Sequence, residues 1–212
     1  MFFHDRVDAG QKLAARLQGE AAGWPNPLIL ALPRGGIAVG AEVARALQIP
    51  LTVFIVRKLG APGNPEFAIG AIAEGGGMVL SPGWRPEDPF VLEAVQRERE
   101  RISRYVALYR GDAPLPSLEG RALVLVDDGA ATGATLKAAL KVLRSYDEAP
   151  PAKLIVALPV APPQTVGELR ILADEVVVLH STSDFYAVSQ FYRDFADVQD
   201  DTLQRKIKEM NS

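Results

Sequence analysis

The sequence predicts an α/β fold with a central, mainly parallel five-stranded sheet flanked by helices. Short segments that are apolar throughout alternate with longer segments of helical periodicity. Strands without polar alternation are typical of parallel sheets that are covered on both faces. A chain of 212 residues also suits one α/β domain. We therefore expect a single domain over 1–212, with a core at about 20–180 and covering segments at 1–19 and 181–212.

The predicted elements follow one another in a regular order. LILAL (28–32) is a buried strand, and the segment after it places Ile37, Val43 and Leu47 on one helical face. Two period-2 segments around a glycine turn predict a hairpin. The strands are expected at 28–32, 51–56, 121–126, 153–158 and 175–180, and the hairpin at 67–73 and 78–81. The helices are expected at 36–49, 87–110, 132–146 and 162–173, with a short polar helix near 200–210.

Composition narrows the class of protein. The net charge of −3 argues against a nucleic-acid platform, which needs a clustered basic surface. The absence of cysteine excludes disulfides, thiolate nucleophiles and cysteine metal sites. His4 and His180 are isolated, so no histidine metal cluster is expected. The N-terminal segment lacks a signal-peptide pattern and no apolar run reaches the roughly 20 residues of a membrane span, so we expect a cytoplasmic protein without membrane contact.

Two adjacent acids follow the strand at 121–126. Asp127 and Asp128 come where ligands bind in a parallel sheet, beyond the carboxyl ends of its strands. In one interpretation, one acid caps the next helix and the other is solvated. In the other, the two carboxylates grip neighbouring hydroxyls of a sugar, and ligand donors or a divalent cation relieve their repulsion.

A run of small residues follows the acid pair and leads into a helix. Small side chains let backbone N–H groups approach an anion closely, and a helix N-terminus adds unpaired amides. The loop therefore predicts a phosphate site. We assign to it Ala130, Ala131, Thr132, Gly133, Ala134 and Thr135. A Walker A loop does not fit the glycine spacing, and the dinucleotide fingerprint GxGxxG is absent.

The segment VLVDDGAATGAT resembles the signature of the type I phosphoribosyltransferases. A widespread group of bacterial phosphoribosyltransferase-like proteins with no established acceptor has segments similar to MFFHDRVDAGQKLA, LPRGGIAVGAEVARAL, VRKLGAPGNPEFAIGAIAEGG and FYAVSQFYRDF. The resemblance implies a type I phosphoribosyltransferase fold with a hairpin, a flexible loop and a small C-terminal hood. It also implies 5-phosphoribosyl 1-pyrophosphate (PRPP) as donor, Mg²⁺ held mainly through PRPP, and a homodimer.

A second glycine-rich segment, Pro33-Arg34-Gly35-Gly36, follows the first strand. It could be a plain turn with an exposed arginine, but an arginine at a helix N-terminus also favours anions. In the resembled family this position is the pyrophosphate loop, which often contains a non-proline cis peptide. We therefore expect Arg34, Gly35 and Gly36 to bind pyrophosphate.

A basic pair, Arg57 and Lys58, follows the second strand. Such a pair is often simply solvated, but a donor with several negative charges needs cationic neighbours. We expect both side chains to meet the pyrophosphate or the ribose. The Gly- and Pro-rich segment 59–66 lies where the resembled enzymes have a mobile loop.

The resemblance implies a transfer in which Asp127 and Asp128 orient the ribose while Arg34 and Lys58 stabilise the leaving group. The expected acceptor is a nucleobase. Enzymes acting on 6-oxopurines carry an aspartate where this chain has Ala131, so that class is disfavoured. The alternative is a regulatory protein that senses PRPP or a nucleotide without turnover.

Two further segments leave structural and functional interpretations open. The tail concentrates four aromatic residues, which either pack in the core or stack on a planar base; these are Phe185, Tyr186, Phe191 and Tyr192. The run RERERISR (97–104) is interpreted as a solvated helix face rather than an RNA-binding surface. The buried stripe of that helix is predicted as Val91, Val95, Ile102, Tyr105 and Tyr109.

Overall fold

The computed structural model describes residues 2–61, 64–146 and 150–210, with no side chains described at 64–66. Its main sheet has five strands in the order β2-β1-β6-β7-β8, and every neighbouring pair is parallel. The predicted five-stranded parallel sheet is therefore confirmed. Its strands are β1 (Leu28–Ala31), β2 (Leu51–Val53), β6 (Ala122–Val126), β7 (Lys153–Ala161) and β8 (Glu175–Ser181).

Helices cover both faces of this sheet. Side chains of β1 and β6 alternate between two apolar clusters: Ile29 and Val124 belong to one, Leu30 and Leu125 to the other. This explains why the strands are apolar throughout, since each face is buried against helices. The first cluster includes residues of α1 (Arg6–Ala21), α2 (Gly35–Leu47), α3 (Pro89–Arg110) and α6 (Asp200–Met210). The second includes residues of α4 (Ala134–Arg144) and α5 (Pro163–Leu172).

The predicted strand 51–56 is wrong as a single element, because the chain changes sheets within it. β2 ends at Val53, and β3 (Val56–Ala61) begins an antiparallel sheet with β4 (Asn64–Ala73) and β5 (Met78–Leu80). The buried carboxylate of Glu74 fixes the change of direction, since its Oε1 accepts the N–H of Ile55 at 2.8 Å. The other Glu74 oxygen pairs with Arg110.

The predicted hairpin is thus the outer part of a three-stranded sheet. Arg57 and Lys58 lie within β3 rather than after a strand. The loop predicted at 59–66 is strand on both sides of residues 62–63, and those two residues lie outside the described residues.

Helix α3 corrects two expectations about residues 97–104 and the buried stripe. Tyr105 is 36% exposed, whereas Ile102 and Tyr109 are buried as predicted. Glu98 is buried rather than solvated and forms ion pairs with arginines of α3 and β3. A simple solvated face is therefore the wrong description of this run.

The N-terminal segment of the described chain contacts the tail around residues 191–192. Helix α1 begins after Asp5, whose side chain accepts the N–H of Asp8 at 2.8 Å and caps the helix. Phe3 donates its N–H to the carbonyl of Phe191 and forms a parallel bridge with Tyr192. Covering segments from both ends therefore meet above the sheet. The described part of the chain contains no helix with the length and apolar character to cross a membrane.

Candidate functional site

The acid pair lies at the carboxyl end of β6, and its two members have different surroundings. Asp127 accepts the N–H of Asp128 through its Oδ1 at 2.9 Å. Asp128 Oδ2 accepts from Nε of Arg6 at 2.7 Å, and both of these side chains are nearly nine-tenths buried. Asp128 is therefore held in an ion pair that the sequence did not suggest.

Arg6 joins three parts of the chain around the acid pair. Besides Asp128, it donates to the carbonyl of Ala196 at 2.9 Å, and its guanidinium lies 3.8 Å from the ring centroid of Phe195. Tyr192 donates its hydroxyl to the backbone carbonyl of Asp128 at 2.5 Å. Sequence reasoning predicted neither contact with Asp128, although Tyr192 was among the tail aromatics considered for base stacking. Each residue reaches Asp128 only through the folded chain.

The surroundings of the Asp127 carboxyl disfavour its ionised form. Burial raises the pKa of its carboxyl well above the usual value, and the neighbouring charge of Asp128 raises it further. Arg6 acts in the opposite direction but is bonded to Asp128. A ligand that offers hydroxyl donors or a cation to Asp127 would relieve this cost.

We expect Asp127→Asn to raise the thermal stability of the unliganded protein at neutral pH. The folded state holds a proton on Asp127 more tightly than the unfolded chain does, so ionisation destabilises the fold as pH rises through the raised pKa. Asparagine removes that penalty and keeps the oxygen that accepts from Asp128. Each kcal/mol of relief corresponds to about 2–4 °C in Tm for a chain of this size.

Calorimetric melts between pH 4 and pH 8 measure this effect. The gain from Asp127→Asn should shrink as pH falls, because the wild-type carboxyl becomes neutral in both states. The exposed Asp112→Asn is the matched control and should leave Tm nearly unchanged. A wild-type protein more stable than the variant at neutral pH would contradict the assignment.

The loop after the acid pair is held close to its neighbours. A Cβ on Gly133, whose φ is +64°, would lie 2.8 Å from the methyl group of Thr165. A Cβ on Gly129 would lie 2.7 Å from Val188 of the tail. Thr165 also donates its hydroxyl to the carbonyl of Ala131 at 2.6 Å. The small residues are therefore required by packing as well as by any ligand.

Several amides of this loop have no acceptor among the described residues; they are those of Ala131, Thr132, Gly133 and Thr135. The amide of Ala130 donates to the carbonyl of Val160 at 3.0 Å, so it is not open to an anion. The amide of Ala134 lies 3.4 Å from the Thr132 hydroxyl oxygen. The open amides surround the N-terminus of α4, and such an arrangement can hold a phosphate.

The second glycine-rich segment lies directly against the acid pair. The Pro33–Arg34 peptide bond is cis, as the family resemblance implies. A Cβ on Gly35 would lie 1.9 Å from Asp128 Oδ2, and a Cβ on Gly36 would lie 2.3 Å from the carbonyl oxygen of Val126. A larger residue at Gly35 would displace the Asp128 carboxylate, and one at Gly36 would displace the end of β6.

A cavity of about 380 Å³ is lined by the three basic residues that the sequence predicted for the site. Arg34, Arg57, Lys58 and Thr135 all line it, with apolar residues that include Phe54. Asp127 and Asp128 are not among its described lining residues, but Gly35 brings the Arg34 segment against Asp128. The structure therefore places the two glycine-rich segments and the basic pair around one region of the sheet rim.

Glu98 is a further residue that sequence reasoning missed. Its side chain is 5% exposed, and its Oε2 lies 3.2 Å from Nε of Arg57. The carboxylate thus fixes the guanidinium that lines the cavity. The signal was absent because Glu98 stands in a run of alternating acids and bases, where nothing singles out one acid as buried.

A parallel sheet covered on both faces, with carboxylates and a small-residue loop at its carboxyl rim, is typical of α/β proteins that bind phosphorylated ligands. The model of the phosphoribosyl transferase domain family matches residues 3–196. The chain therefore belongs to the phosphoribosyl transferase family, and its fold is that of the type I phosphoribosyltransferases.

Two curated relatives and one solved structure are similar to this chain over nearly its whole length. Two Mycobacterium tuberculosis proteins, from strains CDC 1551 and H37Rv, are provisionally named phosphoribosyl transferases and are 44% identical to this chain over 209 residues. The match covers 95% of this chain and 45% of each relative, so the chain spans about half of their length. The crystal structure of TT1426 from Thermus thermophilus is 42% identical, with a TM-score of 0.86 and 99% of both chains covered.

Proposed function

We propose that the protein is a phosphoribosyltransferase that transfers the 5-phosphoribosyl group of PRPP to a nucleobase and releases pyrophosphate. Family membership supports a transferase of this class. The observation that carries the proposal is the group of amides without acceptors at the N-terminus of α4, next to the acid pair. In that pair, burial and the charge of Asp128 make the ionised form of Asp127 unfavourable when no ligand is bound. A phosphate and a neighbouring diol are the ligands that satisfy both features.

With the exception of Ala130, whose amide is bonded to Val160, the predicted residues then have defined tasks. Asp127 and Asp128 hold the ribose hydroxyls, and the amides of residues 131–135 hold the 5′-phosphate. The pyrophosphate is bound by Arg34, Gly35, Gly36, Arg57 and Lys58. Arg34 and Lys58 would stabilise the negative charge that develops on pyrophosphate as the glycosidic bond breaks. Catalysis then consists of orienting the ribose and stabilising the leaving group, and no covalent nucleophile is needed.

Mg²⁺ fits this donor set. Among the described residues there is no group of three or more metal-ligating side chains, and the acid pair supplies two carboxylates at the rim. Mg²⁺ is commonly bound through one or two carboxylates with substrate phosphates and water completing its shell. When bound, it would neutralise pyrophosphate charge. We propose that it arrives largely through PRPP.

The tail limits how the acceptor is recognised. Phe191 and Tyr192 are buried, and the Tyr192 hydroxyl is bonded to Asp128, so neither ring is open to a base in this conformation. Tyr186 is 88% exposed and Phe185 is half-buried, which leaves these two to stack on a planar acceptor. Ala131 cannot accept from purine N7–H, so we propose an acceptor other than a 6-oxopurine.

Calorimetry with PRPP, with and without Mg²⁺, followed by pyrophosphate release across a panel of bases, tests the proposal. We expect Mg²⁺-dependent PRPP binding, and release with adenine or a pyrimidine rather than with hypoxanthine or guanine. Binding without release for any base would instead indicate a PRPP sensor. No binding of PRPP would contradict both functions.

A further inference from the structure

A second groove of about 540 Å³ lies beside the candidate site. The residues that line it are Arg57, Arg101, Arg104, Tyr105 and Leu108, and we call it the arginine groove. Four of the five lie on α3 at spacings of three and four, which places them on one helical face. None of the described lining residues is acidic. The groove is thus basic and has the volume of a small-molecule site, about 300–1000 Å³.

Glu98 lies behind the groove and fixes two of its arginines. Glu98 Oε1 lies 2.9 Å from Nη1 of Arg101, and Oε2 lies 3.2 Å from Nε of Arg57. Because Glu98 is buried and supplies a single negative charge, the three lining arginines keep an excess of two positive charges. No ion pair to Arg104 occurs within the described part of the chain. The groove therefore holds two guanidinium groups positioned by Glu98, together with Arg104, and their positive charge exceeds the single negative charge of Glu98.

Tyr105 gives the groove a flat aromatic wall. Its ring lies nearly parallel to that of Tyr109, with an interplanar angle of 13° and centroids 6.2 Å apart. Tyr109 is fixed in turn, because its hydroxyl donates to Asp200 Oδ1 of α6 at 2.7 Å. Tyr105 remains 36% exposed although it occupies a position in the apolar stripe of α3. A supported, exposed ring next to arginines is suited to stacking on a base.

We propose that the arginine groove binds a nucleoside polyphosphate, with its phosphates on Arg57, Arg101 and Arg104 and its base on Tyr105. Guanidinium groups bind phosphate oxygens bidentately, and an aromatic ring adds the stacking that an inorganic anion cannot use. A nucleic-acid strand is disfavoured because the chain has a net charge of −3, whereas nucleic-acid-binding domains are typically strongly basic.

The arginine groove shares Arg57 and Tyr105 with the 380 Å³ cavity of the candidate site. An occupant of the groove that engages Arg57 changes the environment of the same guanidinium in the cavity. Where the proposed PRPP site holds, the two ligands must therefore affect each other's affinity by the same factor. Binding in the groove itself does not depend on the proposed function.

Binding of ATP, of inorganic tripolyphosphate and of adenosine, measured by calorimetry without PRPP, tests the proposal. ATP should bind more tightly than either fragment. Arg101→Ala combined with Arg104→Ala should weaken ATP binding by about tenfold or more, since each lost hydrogen bond between charged groups is worth about that factor. Arg99→Ala is the control for losing a positive charge from α3, because Arg99 does not line the groove. Its affinity for ATP should equal that of the wild type.

Two further variants separate this site from the donor site. Tyr105→Leu should lower ATP affinity and leave tripolyphosphate affinity unchanged. Asp128→Asn should bind ATP like the wild type even where it loses PRPP. Equal losses in the double variant and in Arg99→Ala, or ATP binding that Asp128→Asn abolishes, would overturn the proposal. Tripolyphosphate binding as tight as ATP, or a short oligonucleotide binding more tightly, would also overturn it.

Discussion

Asp128→Asn is expected to lower kcat/KM for PRPP-dependent transfer by about 100-fold, the size of effect that a misplaced reacting group produces. Asp128 lies where the proposed ribose contacts are made, and its carboxylate is oriented by Nε of Arg6 at 2.7 Å. Asparagine keeps the size of the side chain but removes the charge that pairs with Arg6. The ribose then loses one oriented acceptor, and Arg6 is left nearly buried without its anion.

Steady-state kinetics and PRPP calorimetry on the same samples measure this loss. Part of the change is structural, since the ion pair also stabilises the tail, so thermal melts have to accompany the kinetics. Asp112→Asn is the control, because Asp112 is exposed and lies in the segment between α3 and β6. Turnover and PRPP affinity of Asp128→Asn at wild-type levels would remove the central assignment of the site.

The parts of the site that the sequence could predict are the local ones. Strand, acids, small residues and helix follow one another within 123–135, so their proximity is fixed by the chain itself. The segment 33–36 is predictable for the same reason. That the two segments meet follows from parallel topology, since the carboxyl ends of adjacent strands lie on one rim, and β1 pairs with β6.

The contacts that sequence reasoning missed connect residues far apart in the chain. Arg6 and Asp128 are 122 positions apart, and Arg57 and Glu98 are 41 apart. In each pair an ordinary charged residue becomes important only because a distant partner is buried beside it. The break at 54–55 was missed for a similar reason. The apolar run continues through it, and the carboxylate that turns the chain comes from Glu74.

The acid pair also shows how residues suited to binding a ligand can lower the stability of the fold. Asp127 is disfavoured as an anion by burial and by Asp128, whereas Asp128 is stabilised by Arg6. The same rim leaves loop amides without acceptors in the described structure. In the proposed site, one phosphorylated, hydroxyl-bearing ligand would remove both costs. We therefore expect Asp127→Asn to gain stability where it loses affinity, a trade-off common in binding sites.

Gly35→Ala is expected to reduce kcat/KM by about 100-fold while leaving the protein folded. The added Cβ would lie 1.9 Å from Asp128 Oδ2 and 2.2 Å from its Cγ. The obstacle is the end of a side chain, so the fold can accommodate the methyl group by swinging the carboxylate away. That movement displaces Asp128 from Arg6 and from the proposed ribose contact. The overpacking itself costs about 1–3 kcal/mol.

Comparison with two other glycine variants isolates this effect. Gly36→Ala would place its Cβ 2.3 Å from the backbone oxygen of Val126, which cannot swing away, so we expect its main loss in Tm. Gly19→Ala meets nothing within 4 Å inside α1 and should gain about 0.5–1 kcal/mol in stability at wild-type turnover. Melts and kinetics on all three should therefore separate into lost activity, lost stability and neither. A fully active Gly35→Ala would show that Asp128 does not need its observed position, because the methyl group and the observed carboxylate cannot occupy the same space.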